Sequence, residues 1–87
     1  MSHYIAVFKS LTHTHAFCQA LKNCGINACV EETPREALVS CGLCVRFSDG
    51  GFGKAKNIFS NGGYSTFVGI FKVEKRADGR TSVLRVF

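Results

Sequence analysis

No apolar run in this 87-residue chain approaches the roughly 18 residues that a membrane-spanning helix needs, which excludes an α-helical membrane protein. The N-terminus lacks the basic, long apolar and small-residue segments of a signal peptide, so a cytoplasmic location is expected. There is no internal repeat, linker or low-complexity segment, and one domain over residues 1 to 87 is the expectation. Acidic side chains are scarce, six Asp and Glu against eleven Lys and Arg. The shortage is uneven: residues 1 to 53 carry four of each sign, whereas residues 54 to 87 carry seven basic residues against Glu74 and Asp78. An even cysteine count is also missing. Five cysteines (Cys18, Cys24, Cys29, Cys41 and Cys44) fit a closed secreted disulfide framework poorly and reduced cytosolic thiols better.

Hydrophobic content of 46% with 20% charged residues belongs to a folded chain and argues against disorder. A chain of this size builds one core without enclosing a deep active site, so chemistry is expected on a loop or groove. Tyr4-Ile5-Ala6-Val7-Phe8 is a short continuous apolar run and predicts a buried central strand. Phe17, Ala20, Leu21 and Cys24 recur at helical spacing, with Ser10 or Thr12 as N-cap and Gly25 just past the end, which predicts a helix over about residues 12 to 24. Residues 26 to 31 alternate, placing Ile26, Ala28 and Val30 inward and Asn27, Cys29 and Glu31 outward.

Pro34, lacking a ladder N–H, ends that strand. Residues 35 to 42 then read as a loop with one helical turn over 35 to 39, before Leu43, Val45 and Phe47 give the next strand its inward face and Cys44 and Arg46 its outward one. Asp49 is placed to cap a second helix with Phe52, Ala55, Ile58 and Phe59 as its stripe, stopped at Asn61-Gly62-Gly63. Residues 64 to 73 are rich in β-branched and aromatic types, and Asp78-Gly79 predicts a two-residue type I′ turn with Val73 opposite Leu84 and Phe71 opposite Val86. The order is β-α-β-β-α-β with an added C-terminal strand, an α+β fold of the ferredoxin-like split βαβ type. Its core spans about residues 3 to 73 and its C-terminal hairpin about 64 to 87.

The cysteine-bearing segment carries the chemistry. A thiolate is the nucleophilic form of cysteine, and nearby guanidinium charge with an exposed turn favours it. Cys41 follows Ser40 and precedes Gly42, whose missing side chain admits close backbone approach, with Arg35 just after the rigid Pro34. Cys41-Gly42-Leu43-Cys44 has C-x-x-C spacing, used in redox disulfides and in half metal sites. It lies on a loop entering a strand, not at a helix N-terminus as in thioredoxin. His13 and His15, at i and i+2, make a poor second ligand pair, and no metal or cofactor is expected. Cys18, Cys24 and Cys29 read as structural.

Gly63 to Phe71 faintly resembles an RNA-stacking strand. Its spacing does not fit, and that motif belongs on the strand before the second helix, so a basic nucleic-acid or protein interaction module stays an alternative.

Pro34-Arg35, Ser40-Cys41-Gly42 and Leu43-Cys44-Val45-Arg46-Phe47, with Tyr4-Ile5-Ala6-Val7-Phe8-Lys9-Ser10 opening the chain, resemble the selenium/sulfur carrier-like family of small bacterial and archaeal proteins. The resemblance covers about residues 3 to 64. It implies a carrier of activated sulfur or selenium more than a turnover enzyme, with Cys41 matching the family's cysteine and donor and acceptor proteins as partners. Cys44 is the second candidate for covalent chemistry. Arg35, Ser40, Gly42 and Arg46 are the candidate substrate contacts, and a homodimer is a further expectation. A thiol redox or regulatory module using Cys41 and Cys44 is the other alternative.

Overall fold

The computed structural model describes residues 2–33 and 42–87. The apolar run at the N-terminus becomes β1 (Ser2–Phe8), the middle strand of the sheet, with Ile5, Ala6, Val7 and Phe8 all fully buried. A continuous apolar run is what a strand covered on both faces requires. α1 (Leu11–Asn23) follows, and of the two candidate caps Ser10 is the one used, its hydroxyl accepting from the His13 N–H. The helix stops at Asn23, one residue short of the expected end, with Gly25 just past its cap at a φ of 81°.

β2 (Ala28–Glu32) and β3 (Leu43–Phe47) pair antiparallel, and β3 in turn pairs with β1. A 3-10 turn (Asp49–Gly51) leads into α2 (Phe52–Gly62), followed by β4 (Phe67–Lys75) and β5 (Thr81–Arg85). The sheet order is β2-β3-β1-β4-β5, antiparallel throughout. The protein is thus α+β, two helices with a five-stranded antiparallel sheet, one strand more than a plain split βαβ.

The pleat sorts the side chains into two clusters. Ala6, Phe8, Val45, Phe47 and Ile70 face the helices and pack with Phe17, Cys18 and Leu21 of α1 and Ala55 of α2. Ile5, Val7, Cys44 and Val73 form the cluster on the opposite face. Ile26, Ala28 and Val30 join the helix side, as their alternation predicts.

Three local expectations are corrected. Cys24 leaves the apolar stripe and is exposed, while Cys18 is buried, because α1 stops at Asn23 and Cys24 serves as its C-cap. The N-cap residue of α2 is Gly51 in place of the expected Asp49, which begins the 3-10 turn before the helix. A Cβ at Gly51 would lie 2.7 Å from Ile26 Cγ2, so only glycine fits that junction. The fourth strand begins at Phe67, leaving Tyr64 before it, its ring against Phe8, His13 and Phe17.

The hairpin turn also differs. Type I′ needs positive φ at both central residues, and of this turn only Gly79 has it, at 87°. The Gly79 N–H donates to Arg76 O and the Arg76 N–H to Arg80 O, a three-residue loop closing on a left-handed glycine. The register therefore moves by one, Val73 opposite Val83 and Phe71 opposite Arg85. A one-residue shift exchanges the faces of a strand, so Val83 packs against the second cluster while Leu84 is 64% exposed.

Candidate functional site

Thr33 and Gly42 flank the cysteine-bearing segment, and the Thr33 N–H donates to Gly42 O at 2.9 Å. The chain therefore leaves and re-enters the sheet one ladder rung apart, at the end of β3 that meets the last residues of β1. Gly42 is exposed at this mouth. Arg35, Ser40 and Cys41 lie outside the described residues, as does the helical turn expected over 35 to 39.

Cys44 and Arg46 share one face of β3, as alternation predicts, but their surroundings differ. Cys44 stands opposite Val7 on one side and Glu31 on the other, is fully buried beside Ile5, Val7 and Val73, and its thiol donates to Glu32 O at 3.9 Å. It is closed to solution in this conformation. Arg46 stands opposite Ile5 and Cys29, and its guanidinium lies 3.6 Å from the Glu31 carboxylate with 46% of the side chain exposed. Four residues of strand separate Gly42 from Arg46, about 13 Å. The structure thus does not bring Arg46 to the mouth where Gly42 sits. Nor does Cys29 face Cys44 directly, because the register sets Arg46 against it.

The remaining thiols divide by burial. Cys18 is 4% exposed and burial pushes its pKa up, with Lys22 pulling the other way, so it is held as the thiol. Cys24 and Cys29 are exposed, and Lys54 Nζ donates to the backbone carbonyl of Cys24 at 3.2 Å.

His13 has a structural partner: its Nδ1 lies 2.6 Å from Thr66 Oγ1, which also accepts from the Ser10 N–H, tying the start of α1 to the residue before β4. Among the described residues no cluster of three or more His, Cys, Asp or Glu is arranged to hold a metal. The aromatic rings of residues 64 to 71 are packing groups. Phe67 lies 4.0 Å from Phe59, and Phe71 packs on the opposite cluster. No helix among the described residues is long and apolar enough to cross a membrane.

Sequence reasoning missed a cleft at the far end of the sheet, where Ser2, His3, Asn27, Cys29, Arg46 and Ser48 meet. Only the alternation of residues 27 to 31 and of 44 to 46 signalled it, and joining the two needed the register.

The chain belongs to the family described as "Putative Se/S carrier protein-like", which matches residues 3–66. The match runs from β1 through α2 and stops just before β4. No curated protein and no solved structure matches the chain.

Proposed function

We propose that this protein carries persulfide sulfur or selenium on Cys41. Family membership over residues 3–66 supports this reading, as does the exposure of Gly42, the residue that follows Cys41 in the sequence. The Cys41 thiolate attacks the outer sulfur of a donor persulfide. A new S–S bond forms to Cys41, the donor's S–S bond breaks, and the donor leaves as its thiolate. The acceptor protein's nucleophile then takes the outer sulfur and frees the Cys41 thiolate. Arg35 favours the charged sulfur, Ser40 is a substrate contact, and Gly42, having no side chain, leaves room for the partner's approach.

Cys44 acts second, attacking the inner sulfur to give a Cys41–Cys44 disulfide and release hydrosulfide or hydroselenide. Its burial makes that exit slow, because the start of β3 must unpair before the thiol is reached. Arg46 meets anions on the sheet face rather than the sulfur of Cys41. The working compartment is the cytoplasm, where thiols stay reduced. Donor and acceptor proteins are the partners, and a homodimer forms through the edge strand β5. We read β1 to β4, with β3 and β4 flanking β1 and both helices on one face, as a ferredoxin-like unit that β5 extends.

Intact mass after incubation with a persulfide donor tests the carrier reading. The parent is expected to gain reductant-labile sulfur, Cys41→Ser to gain none, and Cys44→Ser to keep the adduct longer. A redox module would lose its two-electron couple in either variant. If both variants gain sulfur as the parent does, the carrier reading fails.

A further inference from the structure

The geometry points to Cys29 as a second reactive thiol, in a cleft that selects anionic low-molecular-weight disulfides and forms a mixed disulfide with them. This goes beyond the carrier reading and does not involve Cys41. The register pairs Cys29 directly with Arg46, so their Cβ atoms are about 5 Å apart, on the face turned from the helices. Both are exposed and line a cleft of about 360 Å³ with His3, open enough for a small disulfide to reach the sulfur. Arg46 also lines the neighbouring depression with Lys75, so positive charge continues along the sheet end. Glu31, 3.6 Å from the guanidinium, is the acidic counterweight on the same face. The guanidinium beside the exposed sulfur draws in anions.

The step is a thiol–disulfide exchange. The Cys29 thiolate, its proton given to solvent, attacks one sulfur of the disulfide. The new bond joins Cys29 to that half, the incoming S–S bond breaks, and the other half leaves as a thiolate that takes up a proton. The disulfide is the oxidant.

The test compares glutathione disulfide, which is anionic, with cystamine, which is cationic, on the reduced full-length chain at low salt, with peptide mapping of each cysteine. The ratio of the two rates at Cys29 is the readout, since any change in folding affects both alike. Arg46→Gln is expected to lower the glutathione-to-cystamine ratio at least about threefold, and Glu31→Gln to raise it, both effects shrinking in high salt. Cys41→Ser should leave the ratio unchanged, which keeps this result separate from the fate of the carrier reading. Failure of Cys29 to form the mixed disulfide overturns the inference, as does a ratio that does not move in opposite directions in the two variants.

Discussion

Cys18 and Cys29 show how little a cysteine's type says and how much its surroundings say. Burial on the inner face of α1 raises the Cys18 thiol above its ordinary 9.0, and burial likewise raises Tyr64 above 10.0. In both cases the folded protein binds its proton more tightly than the unfolded chain. Above the ordinary value the unfolded chain ionises first, so this contribution to stability is complete below about pH 9 and is lost as pH rises further. Melting temperatures measured across alkaline pH should fall from about pH 9 upward, and Cys18→Ala should remove the first part of that fall. A second residue-scale expectation concerns Phe8, fully buried on the central strand with its ring against Phe17, Tyr64 and Phe67. Phe8→Ala should cost about 3–5 kcal/mol by denaturant titration, enough to unfold much of a small domain. Little of this was hidden in the sequence, since the run from Tyr4 to Phe8 already marks a core strand. Only Cys24 departs from its expected place, because helical spacing extends the apolar stripe to a residue that lies past the helix end.

At the scale of the element, the β4–β5 hairpin is the instructive case. Asp78-Gly79 marks the turn correctly in sequence, yet the dipeptide serves two loop types whose registers differ by one residue. What separates them is whether the residue before the glycine takes positive φ, and in this chain it does not. The outcome fixes Val83 on the packed face and leaves Leu84 outside. Gly79→Ala should lower stability by about 1–2 kcal/mol, because an alanine at a φ of 87° is strained. Asp78→Ala, which removes the carboxylate that accepts from the Arg80 N–H, should cost about 1 kcal/mol or less at this exposed site. Equal effects from the two changes in thermal melts would argue against the left-handed glycine as the element that sets the register.

At the scale of the whole molecule, the family's span and the folded unit do not coincide. The match ends at residue 66, but β4 beyond it pairs with β1 along its length and supplies Ile70 and Val73 to the two clusters. A fragment ending at residue 66 should therefore fail to fold by circular dichroism. Removing residues 76 to 87 should leave a folded protein destabilised by about 2 kcal/mol, since it loses Val83 from one face and the Phe87 ring from Phe59 and Phe67 on the other.

The candidate site was legible only in part. Strand alternation placed Cys44 and Arg46 on one face, whereas the burial of Cys44 and the meeting of Arg46 with Cys29 depend on cross-strand register, which no local pattern specifies. The claim on which the account turns is that transferable sulfur resides on Cys41. Tandem mass spectrometry of peptides from the full-length chain, loaded with a persulfide donor and alkylated, locates it directly. The added sulfur is expected on the peptide containing Cys41, absent after reduction; the same sulfur found on Cys24 or Cys29 with Cys41 unmodified would contradict the carrier role of Cys41.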